Sequence, residues 1–174
     1  HGGYVINELN DGLELLTISR PDSPFAGELW IGGSEKTNQT RIPMLMRRNE
    51  RGTWKKLPTA GIPGQGIKAV YPYSDTGAWL IAATGGGGGC EGILVRYELP
   101  DVKIYSSFGP VVAHCVTDEF GSTTVMAVSN NDTTPPSFTL YASTDNGDTW
   151  VNEEIPQTYG SYKLTAINGI RLIY

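Results

Sequence analysis

Short apolar runs broken by turn residues set the rhythm of the chain. Leu13–Ile18, Ile67–Tyr71, Ala78–Ala83, Ile93–Tyr97, Val111–Val116, Thr124–Val128 and Phe138–Tyr141 are rich in aliphatic, β-branched or aromatic residues. Each is bounded by Gly, Pro, Asn, Asp or Ser, so each reads as a strand ending in a turn. No stretch sustains a capped apolar period of 3.6, and little helix is predicted. Ser74–Gly77, Glu119–Gly121 and Asn168–Gly169 read as tight hairpin joints. The Asn-Gly pair suits a type I′ turn, which needs positive φ at both central residues.

A longer period lies over this rhythm. Arg48-Asn49-Glu50-Arg51-Gly52-Thr53-Trp54 follows one strand and precedes another, Lys55–Pro58. Ser143-Thr144-Asp145-Asn146-Gly147-Asp148-Thr149-Trp150 does the same before Val151–Ile155. The two tryptophans are 96 residues apart, two periods of 48, and halfway between them Arg96–Tyr105 reads as strand, turn and strand without the motif. Four strands per unit, with the turn motif between the third and fourth, is the pattern of propeller blades. The predicted fold class is therefore all-β: a β-propeller of four-stranded blades forming a single domain or segment over residues 1–174. Its blades cover about 12–58, 59–108 and 109–156, with a partial blade at 157–174. That last blade holds Tyr162–Ile167 and Ile170–Tyr174, and two strands alone leave an unpaired edge. Tyr4–Leu9, partner chains in a homo-oligomer, or further sequence would complete the ring.

Composition supports this picture. Gly (22) and Pro (11) are abundant without a collagen period, and charged residues are only 18%, against a long solvated helix or a disordered chain. The net charge of −5 argues against a nucleic-acid partner, since phosphate binding needs a basic face. The one basic cluster, Arg47, Arg48, Arg51, Lys55 and Lys56, reads as a solvated turn. No apolar run reaches the roughly 20 residues of a membrane span, and the opening His-Gly-Gly is not a signal peptide. Two sequons, Asn38-Gln39-Thr40 and Asn131-Asp132-Thr133, suit an extracellular chain.

Ser143-x-Asp145-x-Gly147-x-x-Trp150 resembles the Asp-box, also called the BNR repeat, at every defining position. An Asp in a tight turn accepts backbone N–H groups, Gly permits a left-handed backbone, and Trp packs between strands, so the motif reads as a structural staple. The turn at Trp54 is a degenerate copy that keeps Gly52 and Trp54, with Glu50 standing where the family has Asp. The resemblance implies a β-propeller. Its members range from sialidases and other glycoside hydrolases to sorting receptors, assembly factors and phage tail proteins, so fold alone leaves function open. Arg41-Ile42-Pro43 resembles the sialidase motif whose Arg grips a substrate carboxylate. Here Trp54 follows Arg41 by only 13 residues, which places Arg41 at the start of a third strand instead of an innermost one.

His1 and His114, the only histidines, match the minimum of the copper brace in N-terminal-His lytic polysaccharide monooxygenases. His114, however, lies in an apolar strand, and the repeat has no place in that family. The run Gly85–Gly92 lacks the Lys of a phosphate loop, and no cofactor is expected. Cys90 and Cys115 permit one disulfide or none. The adjacent carboxylates Asp118/Glu119 and Glu153/Glu154 face opposite ways on a strand and cannot share a substrate. Trp30, Tyr73, Trp79 and Tyr105 are candidate platforms for stacking on a sugar, beside Arg41 as a candidate ligand contact. No complete catalytic constellation emerges. The expectation is a non-enzymatic recognition or assembly module, extracellular or virion-associated, that binds a glycan or a protein surface. A fragment of a sialidase-like hydrolase and a copper monooxygenase stand as alternatives.

Overall fold

The computed structural model describes residues 13–18, 29–49, 51–84, 92–99, 101–108, 111–119, 122–130 and 137–155. They form an all-β molecule of three antiparallel sheets, none closed. The first sheet runs β1 (Leu13–Ile18), β2 (Trp30–Thr37), β3 (Thr40–Arg48) and β4 (Trp54–Leu57), paired in chain order. The second runs β5 (Gly66–Pro72), β6 (Gly77–Ala83), β7 (Gly92–Glu98) and β8 (Asp101–Ile104) in the same way. A 3-10 turn, Ser106–Phe108, leads to the third: β9 (Val111–Glu119), β10 (Ser122–Asn130), β11 (Phe138–Ser143) and β12 (Val151–Ile155). One residue pair, Gly92 of β7 with Val111 of β9, links the second and third sheets. Tyr4–Leu9, the partial blade at 157–174 and the Asn168–Gly169 turn lie outside the described residues.

Successive side chains on a strand point to opposite faces, so a strand buried throughout has both faces covered. β6 is such a strand, buried at all seven positions. Ala78, Leu80 and Ala82 pack with Trp30, Leu45 and Leu57 of the first sheet. Trp79 and Ile81 pack the other way, with Leu94, Tyr105, Val111, Val125 and Ala127. The second sheet is thus the middle layer of a face-to-face stack. β5 serves both layers: Ile67 and Val70 enter the first core and Ala69 the second, the parity being reset by an irregularity between Ile67 and Ala69.

A tight hairpin shapes the first sheet, and a hydrogen bond ties it to the second. Asn38 (φ 48°) and Gln39 (φ 71°) both occupy the left-handed region between β2 and β3, as a type I′ hairpin requires. The Asn38 sequon therefore sits at an exposed tip. Across the first interface the Tyr97 hydroxyl donates to the Pro58 carbonyl at 3.0 Å. Burial pushes the Tyr97 phenol up to about 12, so it remains a protonated donor at neutral pH.

Candidate functional site

The turn from Ser143 to Trp150 holds the densest polar geometry of the molecule's second interface. β11 ends at Ser143, whose buried hydroxyl accepts the Gly147 N–H at 2.7 Å and donates to Asp145 Oδ1 at 2.8 Å. Asp145 Oδ1 also accepts the N–H groups of Thr149 (2.8 Å) and Asp148 (3.1 Å), while Oδ2 takes the Thr149 hydroxyl. Asn146 (φ 53°) and Gly147 (φ 82°) supply the left-handed backbone that wraps the loop around that carboxylate. Trp150 closes it by donating Nε1–H to the Gly147 carbonyl at 3.1 Å.

These bonds fix the electrostatics. The Thr149 hydroxyl first, then the Thr149 N–H, the Ser143 hydroxyl and the Asp148 N–H hold the Asp145 carboxyl far below its usual 3.8. A proton carrier needs a pKa near the working pH, so Asp145 is an anchor and not an acid or base. A depressed folded-state pKa contributes stability that is complete above the unfolded value and declines as pH falls below it. Asp145→Asn is therefore expected to lower the melting temperature most above about pH 5. The gap to the parent should narrow steadily on acidification below 3.8, which melting curves from pH 7 to pH 2 would follow.

The same turn grips the second sheet. Trp79 Nε1–H on β6 donates to Asn146 Oδ1 at 2.8 Å, and the Tyr105 hydroxyl after β8 donates to the Gly147 carbonyl at 2.9 Å. Arg96 on β7 reaches Asp148 Oδ1 at 2.9 Å. Trp150 packs edge-on against Trp79, Tyr105 and Phe108, at centroid separations of 6.0, 5.3 and 4.8 Å. Phe108 stacks on Tyr141 of β11 at 4.1 Å and 11°. The arrangement is a clasp between two sheets: a polar loop on one, seated in an aromatic bed on the other.

The shorter turn at Trp54 keeps part of this chemistry. Asn49 Oδ1 accepts the Thr53 N–H at 2.9 Å, spanning four residues as Asp145 does to Thr149, and Trp54 follows Thr53 as Trp150 follows Thr149. Asn49 supplies this side-chain acceptor; Glu50, which the sequence set in the place of the Asp, lies outside the described residues. Counting back from each Trp by five would have found Asn49. Gly52 (φ 79°) gives its N–H to the Asn49 carbonyl at 2.9 Å and turns the chain into β4.

The other sequence candidates are dispersed. Trp30, Trp79 and Tyr105 are 0%, 1% and 7% exposed, so their rings are not open to a sugar; this corrects the expectation that they form a stacking platform. Trp30 is buried in the core between the first and second sheets, and Trp79 and Tyr105 in the core between the second and third. Tyr73 is half-buried, its hydroxyl near Glu98 Oε2 (3.2 Å) and Arg96 Nε (3.3 Å). Arg41, on β3, pairs with Glu14 on β1 and donates to Ser34 Oγ at 2.7 Å. His114 lies on β9 in register with Ala127, and Cys115 in register with Met126. His1 and Cys90, which the copper and disulfide readings need, lie outside the described residues. Among the described residues no three or more His, Cys, Asp or Glu gather as a metal site, and no helix is long and apolar enough to cross a membrane.

Comparison with family models, curated proteins and solved structures returns no match. The geometry of the clasp therefore carries the functional argument.

Proposed function

We propose that the chain is a segment of an Asp-box β-propeller serving as a non-enzymatic recognition or assembly module, extracellular or virion-associated. Its partner is a protein surface in preference to a glycan. The observation that carries this reading is the clasp: the Asp145 carboxylate is saturated by hydrogen bonds, and the loop around it spans two sheets. Chemistry that resembles an Asp-box is spent on joining layers. Burial of Trp30, Trp79 and Tyr105 removes the rings best suited to sugar stacking, which shifts weight toward a protein partner.

The competing hydrolase reading rests on Arg41 and separates cleanly by experiment. Arg41 and Glu14 form an exposed pair, so Arg41→Ala is expected to change stability by no more than about 0.5 kcal/mol. The folded protein, incubated with a fluorogenic sialoside, is expected to give no turnover with either arginine or alanine at this position. Turnover by the parent that disappears in Arg41→Ala would overturn the reading in favour of the hydrolase.

A further inference from the structure

We propose that the cavity over β11 and β12 is a socket for the turn at Arg51–Trp54 of a second copy of this chain. The proposal rests on the assembly reading above and names the partner. Its basis is a relation already present inside the molecule. The third sheet presents its turn between β11 and β12 to the preceding sheet, where Trp79, Arg96, Lys103 and Tyr105 receive it near the turn end of β7 and β8.

The third sheet has a concavity at the same place on its own outer side. Near the turn end of β11 and β12 lies a cavity of about 490 Å³ lined by Leu140, Ala142, Thr144, Thr149, Val151 and Glu153, among others. Register pairs Leu140 with Glu153 and Ala142 with Val151, so these four share one face. Tyr141, with opposite parity, stacks on Phe108 of the second sheet, so the cavity faces away from the stack. Val151 is 71% exposed there.

The matching plug is at the other end. Leu57 points into the core with the second sheet, and alternation along β4 turns Trp54 to the opposite face. That face also carries Ile42, while Leu15 and Ile18 are exposed on β1; the three are 38%, 38% and 58% exposed. Trp54 opens β4 directly after a side-chain-capped turn, much as Trp150 comes between its turn and β12. Arg51 is exposed at the tip of this plug, and Glu153 is the carboxylate in the socket. An apolar centre with opposite charges at its rim fits head-to-tail docking, in which each copy offers a plug to one neighbour and a socket to another.

Complementary disabled variants of the full 174-residue chain test this by light scattering after size exclusion. The parent at about 100 μM is expected to run above its 18.8 kDa monomer mass. Trp54→Ala lacks the plug and Val151→Glu lacks the socket, and each alone is expected to be monomeric. Their mixture retains one working plug and one working socket, so it should form a 1:1 pair at twice the monomer mass and nothing larger. Val151 is solvent-exposed, so its substitution reports docking without threatening the fold. A monomeric parent, or association unchanged by Val151→Glu, would overturn the docking. Neither result would bear on the sialoside assay, whose turnover would overturn the functional reading whatever the mass.

Discussion

Trp79→Ala is expected to destabilise the protein by about 3–5 kcal/mol, the range for deleting a large buried aromatic side chain. The indole is 1% exposed and meets Tyr105 and Trp150 at centroid distances of 5.4 and 6.0 Å. Its Nε1–H satisfies Asn146 Oδ1 across the interface. Removal opens a cavity in the second core and releases the polar loop seated upon it. The loss should appear in the urea midpoint. Amide exchange should show β9–β12 losing more protection than β1–β4, because the first core does not include Trp79.

Gly147→Ala is the second large effect, expected at about 2–4 kcal/mol. Two costs coincide there. The backbone is at φ 82°, which an L side chain rarely adopts, and a Cβ would lie 2.5 Å from Trp79 Cη2 and 2.9 Å from the Tyr105 hydroxyl. Gly61→Ala separates the two. Its φ is 87° and nothing lies within 4 Å of a Cβ, so only the backbone cost of about 1–2 kcal/mol applies. Equal losses at the two positions, measured by chemical unfolding, would show that the approach of Trp79 to the loop is not as described.

Much of the strand layout was legible because short apolar runs are bounded by turn residues. β6 and β7 announce themselves through Ala78–Ala83 and Ile93–Tyr97. β2 does not, since Trp-Ile-Gly-Gly-Ser-Glu-Lys-Thr puts two glycines and a polar tail where a strand signal is sought. The structure gives the reason: a Cβ on Gly32 would lie 2.6 Å from Ile67 Cγ2, and one on Gly33 only 2.0 Å from the Glu14 carbonyl oxygen. Close approach of β5 from the next layer at Gly32, and of the neighbouring β1 backbone at Gly33, erased the propensity signal by which strands are recognised. The Ser143–Trp150 loop was legible from its resemblance to the Asp-box, in which Asp, Gly and Trp each have one evident task. Its seat was not. Trp79, Arg96 and Tyr105 lie between 42 and 67 residues upstream of the groups they bond, and a single sequence carries no pairing information at that range. The same limit explains why exposed and buried aromatics looked alike before the stack was known.

The Ser143–Trp150 loop clasps the third sheet to the second through specific contacts. A double-mutant cycle on Trp79→Phe and Asn146→Ala addresses it most directly, because backbone effects at Asn146 cancel in the coupling. An interaction of about 0.5–1.5 kcal/mol in unfolding free energy is expected, the usual net value of one intramolecular hydrogen bond. Strict additivity, with coupling below about 0.3 kcal/mol, would contradict it.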